Sequence, residues 1–278
     1  MNGDAKPFVL DAGVLHLTVW RRRWPALRAA FSTRRGGVSQ LPFDTLNLGL
    51  GTADAEQQVL TNRDRFLQNL AWRHPVYHVS QVHGTKVVTA RGAADIEASA
   101  RTPAGRRFIS LGRADGVAAA TPNTGLMAFF ADCVPVFLAA PDRQVAAIVH
   151  AGWRGTVADM AGAAVRHLKA AFDLAPDEIE AVIGPAVGQC CYEVDRPVID
   201  AVRRLFSDTA GILTGEKNGR ACLDLTGANE KLLVRAGLDS GRIWQTDLCT
   251  SCRADLFFSH RRDGGATGRM AGFIGWTS

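Results

Sequence analysis

The sequence of 278 residues contains no run of about twenty uninterrupted apolar residues, the length a helix needs to cross a bilayer, so a membrane protein is not expected. Met1 to Ala12 is mixed in character and lacks the basic start, apolar middle and small-residue cleavage pattern of a secretory leader. A soluble, cytoplasmic protein is the expectation. No helix-turn-helix, zinc-finger or RNA-recognition pattern occurs, and no nucleic-acid partner is expected. The net charge of +5 comes from scattered residues, apart from Arg21-Arg22-Arg23, Arg34-Arg35 and Arg261-Arg262. Such a balance suits an enzyme acting on an anion. No Gly-x-Gly-x-x-Gly follows an apolar strand, which removes the fingerprint of a dinucleotide fold. There is no internal repeat and no long linker. Hydrophobic residues make up 47% and charged residues 21%, enough to build a core and too apolar for disorder. One domain over residues 1–278 is therefore expected.

The six cysteines are Cys133, Cys190, Cys191, Cys222, Cys249 and Cys252. Without a leader they are expected to be reduced thiols. Cys249-Thr-Ser-Cys252 has the CxxC spacing of a metal knuckle, but no second CxxC or paired histidines adjoin it. Two partly buried thiols in a turn are the expected reading, and Cys190-Cys191 is assigned to packing.

Apolar runs at 116–120, 126–130, 134–140 and 144–150 are separated by turn residues and predict strands. Residues 156–172 predict an amphipathic helix with Met160, Ala164 and Leu168 on one face. A strand is expected at 181–183 and another at 243–248. Helices are expected from Asp195 to Phe206 and from Asp224 to about Ala236, the aspartates serving as caps. The stretch from Ala90 to Arg107, rich in Ala, Gly and Arg, reads as a surface loop with a short helix. The tail predicts a hairpin, 256–258 returning at 270–274 around Asp263-Gly264-Gly265. Strands in groups with helices between them imply a mixed α/β (α+β) fold, mixed β-sheets flanked by helices.

Three segments carry the chemistry. Ser80-Gln81-Val82-His83-Gly84, Ala131-Asp132-Cys133-Val134-Pro135 and His150-Ala151-Gly152-Trp153-Arg154-Gly155 each place one soft ligand where an apolar element meets a loop. Two imidazoles and a thiolate suit zinc, and three protein ligands leave the fourth position open for water or a substrate oxygen, as catalytic sites do. The same residues also permit a nucleophilic Cys133 activated by a histidine, with Asp132 or the other histidine as orienter. Zinc would suppress alkylation of Cys133, whereas a nucleophile would react readily as the thiolate.

The motifs resemble those of the laccase-domain family, long labelled multicopper polyphenol oxidase. They run from Phe31-Ser32-Thr33-Arg34-Arg35-Gly36-Gly37-Val38-Ser39 through Asn47-Leu48-Gly49, Asn62-Arg63 and Gln81-Val82-His83-Gly84. Ala114-Asp115-Gly116, the Cys133 and His150 segments, Gly184-Pro185 and Cys190-Cys191-Tyr192-Glu193-Val194 follow. Phe257-Phe258-Ser259, Arg261-Arg262 and Gly268-Arg269 close the series. The resemblance implies zinc bound by His83, Cys133 and His150, with a single copper ion as a substitute occupant. It implies phosphorolysis of purine nucleosides (adenosine, inosine, methylthioadenosine), with adenosine deamination beside it. It also raises a rival role, an editing hydrolase that removes a wrongly incorporated amino acid from a peptidoglycan precursor. A non-enzymatic binding module that keeps zinc for structure is the rival from another class.

A multicopper mechanism does not survive the histidine count: seven histidines and no His-x-His pair cannot furnish an oxygen-reducing cluster. Phosphorolysis requires bound phosphate, for which Arg34, Arg154 and Arg261 are the candidates. Asn47 and Asp115 are candidates for ribose or base contacts, or cap turns. Trp153 is expected to pack beside the metal rather than stack on the purine. His78 reads as a satisfied core histidine, and His260 lies among arginines.

Overall fold

The apolar strands at the centre of the chain are buried on both faces, which is why their sequences read as unbroken hydrophobic runs rather than alternating ones. In Val134–Ala140, Val136, Leu138 and Ala140 face one core while Phe137 and Ala139 face another. Its hairpin partner Val145–Ala151 alternates in the same way, Ala147 and Val149 against Ala146 and Ile148. Side chains on a strand point to opposite faces in turn, so both strands must lie inside a stack of layers.

A computed structural model describes residues 7–92 and 99–278. Two mixed sheets form its centre. The eight-stranded sheet runs Phe8–Asp11, Val14–Leu17, Leu27–Ser32, Met270–Trp276, Gly125–Phe130, Val76–Ser80, Arg107–Arg113, Ser99–Arg101. The six-stranded sheet runs Ile243–Gln245, Glu180–Ile183, Val134–Ala140, Val145–Ala151, Gly116–Ala119, Val87–Thr89. A small three-stranded sheet, Glu193–Asp195, Arg220–Leu223 and Leu213–Lys217, lies apart from them. Phe31, Leu126 and Phe130 of the large sheet meet Phe137 and Ile148 of the second in one core. Helices Met160–Phe172, Arg196–Leu205 and Leu225–Arg235 cover the second sheet's other face. Helix Glu56–Asn69 covers the outer face of the large sheet through Phe66 and Leu67. The order is helix, sheet, sheet, helices. Each large side chain buried between layers contributes about 1.5–3 kcal/mol, which is what holds the sheets face to face.

The mixed α/β expectation holds, with three local corrections. The helix predicted over 156–172 is two helices, Trp153–Val157 and Met160–Phe172, because Asp159 takes a left-handed conformation (φ 66°) between them. The 90–107 stretch, expected as a loop with a short helix, carries a strand, Ser99–Arg101, that pairs with Arg107–Arg113 as an antiparallel ribbon; the helix expected before it falls on residues 93–98, outside the described ones. The tail is no hairpin. Gly264 and Gly265 do turn with positive φ, but Met270–Trp276 pairs with Leu27–Ser32 and Gly125–Phe130 instead of residues 256–258. No helix among the described residues is long and apolar enough to cross a membrane.

Candidate metal centre and its cavity

The site lies where the chain passes from one sheet to the other. Gly125–Phe130 ends in the large sheet, Val134–Ala140 begins in the second, and Cys133 sits on the crossing. Asp132 makes the crossing sharp in a left-handed conformation (φ 88°) that its surroundings over-determine. Its carboxylate accepts from Thr250 Oγ1 (2.6 Å), Ser259 Oγ (3.0 Å) and the Arg261 amide (2.6 Å). His150 is the sixth residue of Val145–Ala151 and is buried. His83 follows strand Val76–Ser80, itself left-handed at φ 61°. Gln81 fixes the loop before it: its amide docks on Phe129 as a strand residue would, Nε2 donating to the carbonyl (2.7 Å) and Oε1 accepting from the N–H (2.8 Å).

Asp115 binds the arrangement together. Fully buried, it accepts from the amides of Val82 (3.1 Å), His83 (2.8 Å) and Gly84 (2.6 Å), and its Oδ1 lies 3.0 Å from His150 Nδ1. An ionised carboxylate only accepts, so this bond places a proton on Nδ1 and leaves Nε2 as the lone pair for a metal. The ligating atoms of His83, Cys133 and His150 lie within 4.8 Å of one another, and His83 Nε2 stands 3.9 Å from Cys133 Sγ. Two ligands on one tetrahedral zinc, at about 2.0–2.3 Å each, stand roughly 3.3–3.8 Å apart, close to the separation of His83 Nε2 and Cys133 Sγ, so the donor set fits. Gly152 makes room for it: a Cβ there would sit 2.9 Å from both Cys133 Sγ and His83 Cδ2.

Electrostatics prepare the same donors. Burial would push the Cys133 thiol up, but the charge and hydrogen bonds of His150 and His83 outweigh it and bring it down to about 6. Burial would depress His150, yet the Cys133 thiolate and Asp115 outweigh that and raise it to about 9. The metal-free site is thus a thiolate–imidazolium pair, and a cation entering it meets a ready thiolate and displaces one proton.

Around the three donors lies a cavity of about 780 Å³. Among the described residues Arg63, Arg154, Arg261 and Arg269 line it against a single carboxylate, Asp132, whose oxygens are already engaged. Arg154 stacks on Trp153 at 4.4 Å and Arg261 on Tyr192 at 4.9 Å. Arg63 is almost wholly buried. Its guanidinium rests on Phe108 and Phe129 at 4.8 and 4.7 Å, and its Nε donates to the Leu48 carbonyl. Burial depresses Arg63 to about 10, with Glu56 acting the other way. None of these four arginines has a carboxylate ion-pair partner among the described residues, which leaves them for an anion.

Of the candidates read from the sequence, the structure brings His83, Cys133, His150, Arg154 and Arg261 to one cavity and leaves three outside its lining. Arg34 is spent elsewhere, its guanidinium on Asp44 (2.9 Å) and over the Phe258 ring. Asn47 is fully buried, holding Thr52, Asp54 and the Arg269 amide. Asp115 stands behind His150 and His83 rather than in the open space. Conversely, His78 lines the cavity and is not only a core residue; burial, then the Arg63 charge, lowers it to about 4, so it is neutral. Arg63 and Arg269 were visible only as parts of Asn62-Arg63 and Gly268-Arg269.

A family model described as "Multi-copper polyphenol oxidoreductase laccase" matches residues 28–277. The chain belongs to this family. It is 38% identical over 261 residues to purine nucleoside phosphorylase YlmD of Geobacillus stearothermophilus, covering 90% of this chain and 91% of that protein. It is 36% identical over 259 residues to a purine nucleoside phosphorylase of Deinococcus radiodurans, covering 90% and 92%. The crystal structure of the Geobacillus YlmD superposes with a TM-score of 0.89 at 34% identity, covering 99% of this chain and all of that one. The copper wording of the family finds no counterpart here: among the described residues no second set of histidines gathers for an oxygen-reducing cluster.

Proposed function

We propose that this chain is a metal-dependent enzyme that cleaves purine nucleosides with phosphate, giving the free base and ribose 1-phosphate. The observation that carries the reading is the charge of the cavity, four arginines against one engaged carboxylate beside a His-Cys-His donor set. A phosphate dianion is the co-substrate such a lining favours. The relatives named purine nucleoside phosphorylase support the reaction class.

A zinc ion held by His83, Cys133 and His150 would supply a Lewis-acidic position with one open site. The chain's own residues do the rest. Arg63 and Arg269, from the buried wall, and Arg154 and Arg261, anchored on Trp153 and Tyr192, hold phosphate and screen its charge. Neutral His78 and the apolar face of Phe129 offer the purine a polar edge and a flat surface. Tyr192, whose phenol burial and then the nearby Cys133 push up to about 12, stays protonated and donates a hydrogen bond. As a phosphate oxygen bonds to C1′ the C1′–N9 bond breaks, and its electron pair leaves with the purine, which takes up a proton.

Adenosine deamination ranks second because zinc deaminases shuttle protons through a free glutamate. Among the described residues no free carboxylate lines this cavity. Incubating the zinc-loaded protein with adenosine or inosine, with and without phosphate, separates the readings. Base and ribose 1-phosphate should appear only with phosphate. Base release that ignores phosphate would refute phosphorolysis; ammonia from adenosine without phosphate would mark a deaminase. Serine released from a muramyl-serine precursor would favour peptidoglycan editing. Inertness on every substrate would favour the non-enzymatic binding module.

A further inference from the structure

Four of the remaining cysteines converge at a place the proposed reaction does not use. Cys190 and Cys191 lie on one tight turn, Gln189–Cys191, and Cys249 and Cys252 on another about sixty residues later. Cys191 Sγ is 3.4 Å from Cys252 Sγ, Cys190 Sγ is 3.6 Å from Cys252 Sγ, and the two vicinal sulfurs are 3.8 Å apart. All four sulfurs lie within 4.8 Å of one another, and none is in a disulfide. The second ligand pair that CxxC lacks in the sequence is thus delivered by the fold. Packing does not account for it, since Cys190 and Cys252 are exposed and unbonded cysteines are normally among the most buried residues.

The dimensions select the occupant. Four thiolates on one zinc, at about 2.3 Å each, have tetrahedral edges of about 3.8 Å, close to the 3.4–3.8 Å of the three pairs among Cys190, Cys191 and Cys252. In an iron–sulfur cluster the four thiolates are divided among two or four irons, so they do not all stand on the edges of one tetrahedron. Backbone donors surround one of the four sulfurs, that of Cys249. Gly188 donates its amide to Cys249 Sγ at 3.2 Å, and the amides of Ser251 and Cys252 face the same sulfur. A Cβ on Gly188 would press within 3.1 Å of Cys249 Cβ and 3.3 Å of Cys190 Sγ, so glycine lets the two turns close.

We propose that Cys190, Cys191, Cys249 and Cys252 together bind one soft divalent cation, zinc by preference, as a closed structural site distinct from the His83–Cys133–His150 centre. Its place in the fold gives it a task. Ala186 pairs with Cys249 as an isolated bridge, Val187 donates its amide to the Asp132 carbonyl, and Thr250 holds the Asp132 carboxylate. Val187 and Tyr192 both line the cavity. The cation would staple the turn that carries them to the segment that positions Asp132, beside Cys133.

Metal analysis of the full chain, purified under reducing conditions with zinc and gel-filtered, tests this. Wild type should hold two zinc ions per chain, Cys133→Ala one, and Cys133→Ala combined with Cys190→Ser and Cys252→Ser none. Loaded with cobalt, the Cys133→Ala protein should show intense thiolate-to-metal charge transfer and tetrahedral visible bands. A Cys133→Ala protein free of metal, or metal that survives when Cys190→Ser and Cys252→Ser are added to Cys133→Ala, would overturn the proposal. Alkylation mapped on folded wild type avoids any folding defect of the variants. Cys190, Cys191, Cys249 and Cys252 should be modified about tenfold more slowly with zinc than after chelation, because a bound thiolate is not a free nucleophile. Equal rates would count against the site, as would a disulfide among the four in the zinc-exposed protein. The reading stands apart from the proposed function: failed phosphorolysis would leave the metal count at two.

Discussion

Replacing Asp115 by Asn isolates what the buried carboxylate does, because the shape is kept and only charge and one acceptor are lost. Oδ1 accepts from His83 and Val82 and from His150 Nδ1, while Oδ2 accepts from Gly84 at 2.6 Å. Every neighbour is a donor, so the amide NH₂ must face a donor whichever way it turns. Turned toward Gly84, it loosens the loop that presents His83; turned toward His150, it forces the opposite tautomer and takes Nε2 away from the metal. Losing one charge-assisted bond in a buried site costs about 1.5–3 kcal/mol. Carried into metal binding, that corresponds to a zinc affinity lower by about 10–100-fold, the range for groups that orient ligating histidines. Competition against a chromophoric chelator gives the zinc Kd, and urea unfolding in excess chelator gives the metal-free stability. Asp115→Asn should weaken zinc at least tenfold while the four-cysteine metal is unchanged. Zinc affinity within twofold of wild type would refute the assignment of Asp115 as the group that orients His150 and His83.

Other perturbations probe the remaining links. Gly152→Ala would push a methyl to 2.9 Å from Cys133 Sγ and His83 Cδ2, well inside the roughly 3.5–4.0 Å of carbon contact, and should cost about 1–3 kcal/mol of stability along with most of the zinc at the triad, read by metal analysis and thermal unfolding. Arg63→Met should raise KM for phosphate at least about tenfold, the cost of losing one charged hydrogen-bond donor, with zinc content unchanged. Arg34→Met, which removes a guanidinium outside the cavity, should leave that KM within about twofold while lowering stability by up to about 1 kcal/mol. His78 has its folded pKa depressed from 6.5 to about 4, so its contribution is whole above pH 6.5 and lost as pH falls toward 4. Comparing urea midpoints at pH 7 and pH 4.5, His78→Gln should lose about 2–3 kcal/mol less than wild type; an equal loss would show that His78 is not held neutral.

The parts of this protein that could be read from the sequence are those decided locally. Val134–Ala140 and Val145–Ala151 announce themselves because both faces are buried and, His150 aside, every position is apolar. His83, Cys133 and His150 stand out because each ends such an element. Arg63 could not be found that way. On helix Glu56–Asn69 it reads as one more charge on a polar face, and only Phe108 and Phe129, brought by other strands, bury it against the cavity. The tail misled for a related reason. Phe257 and Phe258 are apolar enough for a strand, yet their segment is held by side chains: Arg262 donates to the carbonyls of Thr250, Ser251 and Phe257, and Phe258 N–H meets Met270 Sδ. The break at Asp159 is equally silent, since helical periodicity runs across it, and its carboxylate is held by two arginines, Arg166 two turns on and Arg235 from a distant helix.

One crossing of the chain carries much of the site because its strained residue is braced from several segments. Asp132 is forced left-handed where Gly125–Phe130 gives way to Val134–Ala140, and a strained residue persists only where its neighbours hold it. Its holders are Thr250, one residue past Cys249, Ser259, and the amide of Arg261, whose side chain stacks on Tyr192. The residue that turns Cys133 toward the histidines is therefore braced by the two segments that bring the cavity an arginine and, through the four cysteines, a second cluster of metal-binding groups. Metal affinity at the first site and the position of Arg261 are then linked through one carboxylate. Thr250→Val, which leaves the triad and all four cysteines in place, should weaken zinc at His83–Cys133–His150 and raise KM for phosphate together. A change in one without the other would show that Asp132 serves the turn alone.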